Sequence, residues 1–261
     1  MTTGSRKLKV QPSRAVLGGL AILESFDVAR PTRSLADISR HLGIPKATAL
    51  RMLRALAEKH YVTHDARSTY ALGPGVLALA QRYLSDYEAL PVVRPMLSEL
   101  ASKTGETAHF GVLQGNEVVY LEIVESPQRV RAYVLRGDHL PAHCAAAGKA
   151  ILAHAAPDTV DACIAHGLPR LTSLTIADRA GFLRELRTTK QRGYGLNIGE
   201  WMEDVTGVSA PIFGFSGAVQ GAIGVAGPMS RLNARNAHRI GKIVRELAQR
   251  TSQRLGGIRA A

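Results

Sequence analysis

Between residues 34 and 62 apolar positions recur at helical spacing in two short runs separated by Gly43-Ile44-Pro45. Leu35, Ile38 and Leu42 fall on one side of the first run, and Ser34 stands where an N-cap hydroxyl meets the free amides of the first turn. Gly43 supplies the left-handed residue that ends a helix at little cost. Pro45 restarts the chain where a missing N–H is harmless. In the second run Ala49, Leu50, Leu53, Leu56 and Ala57 point toward a core, leaving Lys46, Ala47, Thr48, Arg51 and Arg54 on or near the outer side. The pattern predicts a helix–turn–helix.

The flanks extend this unit. Val16, Leu17, Leu20, Ile22, Leu23 and Phe26 predict a first helix over residues 14–27 that packs on the motif. Residues 62–64 and 69–72 read as two short strands around a turn at 65–68, a hairpin wing with Arg67 at its tip. Gly73-Pro74-Gly75 closes the unit, and residues 76–88 predict a helix that is apolar on more than one side, a linker or a dimer contact.

Pro91 starts a second region. A helix is expected over 92–104, with Leu97, Leu100 and Ala101 buried. Residues 107–113 and 117–124 alternate around Gln114-Gly115-Asn116, a hairpin signal, and 129–135 reads as a further strand. Helices are expected over 143–154, 160–166 and 177–192, strands over 194–197, 207–213 and 218–226, and a long amphipathic helix over 231–254. Hairpins flanked by helices, without strict strand–helix alternation, indicate an α+β domain. The expected organisation is a basic tail (1–12), a winged helix–turn–helix (13–74), a linker helix (75–90), a second domain (91–255) and a loose tail (256–261).

Charge sharpens the reading of the first domain. The 261-residue chain carries +12 overall. Residues 1–74 hold 12 Lys and Arg against 5 Asp and Glu, whereas the far longer remainder holds 21 against 16. Such a concentration around a helix–turn–helix points to a polyanionic partner. Lys46 and Arg51 can reach phosphates or guanine edges, Thr48 a phosphate, and Ala47 permits close approach in a DNA major groove. Arg54 extends the basic face, Ser34 and Arg14 are placed to steady the DNA backbone, and Arg67 to enter a minor groove or touch a flanking phosphate. On these residues alone an ordinary helical hairpin with a solvated basic face stays open.

Other chemistries find little support. Two cysteines, Cys144 and Cys163, suit a reducing cytosol, and no apolar run approaches a membrane span, so a soluble cytoplasmic protein is expected. His139, His143, Cys144 and His154 cluster without a zinc-ligand spacing. Cys144 at a helix start could be an activated thiol, but the sequence identifies no histidine and orienting partner for it. Phosphate loops, dinucleotide fingerprints and G-x-S-x-G elbows are missing, so neither catalytic residues nor a metal or cofactor are expected.

Taken in order, the motifs resemble the IclR family of bacterial transcription regulators from about Ser13 to Leu255. They are R-A-V-L-G-G-L-A-I-L-E-S-F, L-A-D-I-S-R-H-L-G-I-P-K-A-T-A-L-R-M-L-R-A-L and Y-A-L-G-P-G, then P-M-L-S-E-L-A-S-K-T-G-E-T-A-H-F, L-P-A-H-C-A-A-A-G-K-A-I-L-A, R-G-Y-G-L-N, S-A-P-I-F and A-I-G-V-A-G-P. The resemblance implies a winged helix–turn–helix joined by a helix to a GAF-like effector domain. It also implies a homodimer or dimer of dimers on a pseudo-palindromic operator, and control by a small organic ligand. The ligand would lie against the sheet between residues 144–149 and the loop 197–207.

Ala146 and Ala147 open a helix there, and free amides can hold a carboxylate, although an alanine-rich helix start merely packed on the sheet explains them as well. Compared with relatives that bind small keto acids, Asn197 replaces an acidic residue, Gly207 a cysteine, and Gly224 and Ala226 two serines. That implies a larger, less polar pocket. Trp201 could close over a ring or acyl chain, or serve as a dimer contact or loop packing. The expected function is a repressor of a catabolic operon that senses an aromatic or acyl acid. An activator and a ligand-free architectural DNA-binding protein are the alternatives, and an enzyme with an accessory DNA-binding domain is the least favoured.

Overall fold

In a computed structural model, residues 13–66 and 68–257 are described, and they divide into two compact units, Met1–Asp86 and Tyr87–Ala261. The first unit holds α1 (Arg14–Glu24), β1 (Thr32–Ser34), α2 (Leu35–Leu42), α3 (Lys46–Glu58), β2 (Val62–His64), β3 (Thr69–Leu72) and α4 (Pro74–Ser85). Its core is small: Ile22, Phe26, Ile38, Ala49, Leu53, Val62 and Tyr70, from both helices of the motif, the end of α1 and the wing. The wing is a three-stranded antiparallel sheet in the order β1-β3-β2, not a lone hairpin. The sequence concealed β1 because its middle residue, Arg33, is buried and polar. Its Nε donates to the carbonyl of Ser25 at 2.6 Å and its guanidinium lies 3.8 Å from Asp27, tying the end of α1 to the sheet.

One expectation for this unit is corrected. Val16, Leu17 and Leu20 do not pack on the motif: they are 60%, 53% and 49% exposed, and in α1 only Ile22 is buried. The helical stripe therefore splits into a core-facing end and an apolar outer face. Leu77, Leu79 and Tyr83 of α4 are exposed as well.

The second unit is a six-stranded antiparallel sheet in the order β6-β5-β4-β9-β8-β7. Its strands are β4 (Thr107–Gln114), β5 (Glu117–Val124), β6 (His139–Pro141), β7 (Gly195–Ile198), β8 (Val205–Phe213) and β9 (Val219–Pro228). The helices are α5 (Leu90–Thr104), α6 (Ala146–Leu152), α7 (Pro157–His166), α8 (Arg179–Arg192) and α9 (Ala234–Arg254). Side chains of successive strand residues alternate between faces. Gly207 faces Ala146 of α6, whereas Ala210 lies with Arg245 and Ala248 of α9. The sheet is thus covered by α6 on one face and by α9, with α5, on the other.

Here too the structure departs from the pattern. Residues 129–135 form no strand. Ala132 and Val134 are buried and Arg131 and Tyr133 exposed, so the alternation is real, but the edge of β5 is taken by β6 through Val119↔His139 and Val118↔Leu140. The helix expected from 143 starts only at Ala146, because 139–141 pair in the sheet and the chain must turn at Ala142, whose carbonyl sits where a side chain on Gly148 would be. The tail expected to be loose is held at its start: Gly256 bridges Gly214, and the Gly257 N–H donates to Ser252. No helix among the described residues is long and apolar enough to cross a membrane.

Candidate nucleic-acid interface and effector pocket

Ser34 begins α2 with a reciprocal cap. Its Oγ accepts from the Asp37 N–H at 3.2 Å and its own N–H donates to the Asp37 carboxylate at 3.4 Å. The same hydroxyl donates to that carboxylate at 2.6 Å, and this bonding holds the Asp37 carboxyl below its usual range. Gly43 ends α2 at φ 63°, and Ser39 Oγ donates to the Ile44 carbonyl at 2.6 Å, which fixes the turn. After Pro45, α3 buries Ala49 and Leu53 and exposes Lys46, Ala47, Arg51 and Arg54, with Thr48 half-buried. Arg40 pairs with Asp37 and Lys59 with Glu58, whereas Lys46, Arg51 and Arg54 enter no ion pair among the described residues. One helix therefore presents an uncompensated cationic face. Arg14 is exposed at the start of α1, the Ser34 hydroxyl is engaged in the cap, and Arg67 lies outside the described residues.

In the second unit a small cavity of ≈ 20 Å³ lies between the sheet and α6. Of the predicted effector residues, Ala146, Asn197, Trp201, Gly207 and Ala226 line it. A cavity of that size holds about one water molecule, so a ligand must displace part of the wall. Asn197 is buried, and its Oδ1 accepts from the Glu200 N–H at 2.8 Å, which shapes the turn that carries Trp201 over the cavity. Ala147 packs in the core beside the cavity and is not among its lining residues. Gly224 does not enlarge the pocket as expected: a Cβ there would lie 2.1 Å from Ser209 Oγ, so the serine already fills the space.

The remaining wall comes from His109, Tyr120, Val134, Leu140, Ala145 and Val205. Sequence reading missed these, and the one signal available was His109 at an inward position of an otherwise apolar strand. His109 Nε2 lies 3.0 Å from Ser209 Oγ, and its ring meets that of Tyr120 edge-on at 4.9 Å. Burial pushes the imidazole down to about 3, so it is neutral at physiological pH, and burial likewise raises the Tyr120 phenol.

The second unit also holds a buried ion pair. Lys149, with no exposed surface, donates to Glu200 and lies 3.8 Å from Glu185, which also accepts from Arg192 at 2.6 Å. Burial raises the Glu200 carboxyl against the opposing pull of Lys149. Cys144 donates its thiol to the Pro141 carbonyl at 3.4 Å and is pushed up to about 12, chiefly by burial, so it is protonated at neutral pH. His143 is turned away to the Pro169 carbonyl at 3.0 Å. A larger open groove, ≈ 900 Å³, lies between α9 and the end of β8 and is lined by none of the predicted residues.

Comparison with known proteins bears on both units. Residues 15–66 match the IclR helix-turn-helix domain and residues 81–253 the bacterial transcriptional regulator IclR C-terminal domain. The HTH-type transcriptional repressor AllR of Klebsiella pneumoniae is 30% identical over 246 residues, covering 94% of this chain and 90% of that protein. The AllR repressor of Escherichia coli K12 is also 30% identical, with 91% of its length covered. Among solved structures, a transcriptional regulator from Rhodococcus superposes with a TM-score of 0.81 at 28% identity, over 94% of this chain and 98% of that one. An IclR homolog from Microbacterium hydrocarbonoxydans, solved with 4-hydroxybenzoate, gives 0.79 at 26% identity, over 92% and 98%. Sequence and fold agree along nearly the whole chain, which belongs to the IclR family of bacterial transcriptional regulators.

Proposed function

We propose that this regulator is a repressor that binds a pseudo-palindromic operator through the α3 face and releases or tightens it when a small aromatic or acyl acid enters the cavity of the second unit. The observation that carries the ligand reading is the wall of that cavity. Tyr120, Val134, Leu140, Trp201 and Val205 provide apolar and aromatic surface around the few polar groups of His109 and Asn197, the composition of a small-molecule site. Repression is favoured by the AllR relatives and an aromatic acid by the relative solved with 4-hydroxybenzoate. The exposed apolar residues of α1 and α4 support self-association, which a two-fold operator requires.

On DNA, Lys46, Ala47, Thr48, Arg51 and Arg54 enter the major groove. Arg14 and the capped end of α2 at Ser34 sit against phosphates, and Arg67 reaches the flank. The test is thermal melting of the purified protein against a panel of carboxylic acids. A ligand at a hundredfold excess over Kd stabilises by about 2.7 kcal/mol. Stabilisation by aromatic or acyl acids is expected. Stabilisation by glyoxylate or pyruvate alone overturns the ligand class. No response to any acid leaves a ligand-free DNA-binding protein.

A further inference from the structure

Three neighbouring strands put three small features in line. In the register of the sheet, Gly224 of β9 stands opposite both His109 of β4 and Ser209 of β8. His109 reaches across the glycine to place Nε2 3.0 Å from Ser209 Oγ. Any side chain at 224 would strike the Ser209 hydroxyl, so this contact exists only because the middle strand carries a glycine. The imidazole is 2% exposed, yet its Nδ1 is buried with no hydrogen-bond partner among the described residues. Leaving such an atom unpaired is costly. His109 lines the cavity, and the neighbouring wall at Tyr120, Val134, Leu140 and Ala226 is largely apolar.

We propose that His109, held in place by Ser209 across Gly224, is the specificity residue of the effector pocket and pairs through Nδ1 with a hydroxyl on an otherwise apolar ligand. The inference rests on the reading of this cavity as the ligand site, but it concerns the end of the ligand lying on the sheet and not its acid group. A neutral imidazole offers one donor and one acceptor, and which nitrogen carries the proton depends on the tautomer. A hydroxyl can donate or accept and so satisfies Nδ1 in either tautomer, whereas a carboxylate satisfies it only as N–H. Ser209 is a positioning residue: it fixes the ring and thereby the direction of Nδ1. A methyl group in place of the ligand hydroxyl leaves Nδ1 buried and unpaired, and a site built for a hydroxyl discriminates strongly against such an analogue.

The test uses the full chain and two matched pairs of probes, phenol against toluene and 4-hydroxyphenylacetate against 4-methylphenylacetate, with affinity read from calorimetric titration. Wild type is expected to favour the hydroxyl member of a pair by about tenfold or more. His109→Leu should bring that ratio to about one while each probe still binds, and Ser209→Ala should lower it part of the way. The ratio is taken within one protein, so a loss of stability common to both probes cancels. If His109→Leu fails to fold, the imidazole ¹⁵N resonances of wild type provide the second readout, and they should move with phenol and not with toluene. An unchanged ratio in His109→Leu, or no hydroxyl preference in wild type, overturns the proposal. Discrimination between phenol and toluene with neither acid bound sustains hydroxyl recognition and overturns the acid-sensing reading. Acids bound without hydroxyl preference do the reverse, and no binding of any probe overturns both.

Discussion

The two units place their working atoms differently. In the first, the proposed DNA-binding residues stand on the outer side of one helix, and the core that supports it, Ile38, Ala49 and Leu53 among others, shares no side chain with that face. In the second, the cavity wall is assembled from β4, β5, the segment before β6, β6 itself, α6, β7, β8, β9 and the loop that carries Trp201. Several wall residues, Tyr120, Val134, Leu140 and Ala226, belong at the same time to the hydrophobic core. Function on a surface separates from stability. Function in a cavity does not, because the groups that would meet a ligand are the ones that bury area and carry desolvation costs.

The comparison breaks or sharpens at particular residues. The largest effect on folding is expected at Lys149, whose removal strands Glu200 without its buried cation and leaves Glu185 with Arg192 alone. Lys149→Ala should cost about 3–5 kcal/mol in urea unfolding, with part recovered by adding Glu200→Gln. An unchanged midpoint would show that the pair contributes nothing beyond what water supplies.

A smaller effect comes from His109. Its folded value of about 3 lies below the unfolded value near 6.5, so the unfolded chain takes up the proton first as pH falls. Its contribution is fully present above about pH 6.5 and declines toward pH 3, a loss of about 2 kcal/mol by pH 5. His109→Leu should flatten the stability–pH curve in that window. An equally steep curve in the variant would assign the slope to other groups, His143 and His154 first, since burial lowers both.

The smallest effect on folding is expected at Arg51, which is exposed and enters no ion pair among the described residues. Arg51→Ala should leave the melting temperature nearly unchanged, within about 0.5 kcal/mol. It should weaken operator binding by about 1–3 kcal/mol in a gel-shift titration at fixed salt. A marked fall in melting temperature, or an unaltered operator affinity, would erase the separation between face and core.

Much of the first unit was legible because its signals are local. The cap at Ser34, the left-handed Gly43 and the restart at Pro45 each act within one turn of chain. Helical spacing sorted Ala49 and Leu53 from Lys46, Arg51 and Arg54 without any tertiary knowledge. The same spacing misled at Val16, Leu17 and Leu20, because periodicity shows that a face is apolar but not what covers it. In the second unit the hairpin around Gly115 and the long α9 were readable for the same local reasons. The segment 129–135 was misread because its alternation is that of a strand, while competition for the edge of β5, settled by residues 139–141, denies it a partner.

The sequence by itself determined the helix–turn–helix with its basic face, the hairpin around Gly115, the long closing helix and, through the spacing of its motifs, the family. These depend on propensity, capping and charge, which act between residues close along the chain. Tertiary structure alone decided that Arg33 is a buried tie, that Lys149 is paired inside the domain, and that Gly224 makes room for Ser209 and not for a ligand. It also decided that His109 faces a cavity, since register across β4, β9 and β8 joins residues 100 positions apart. Contacts across a sheet are set by strand order and register, and those arise from the simultaneous burial of every strand, which no single stretch of sequence encodes.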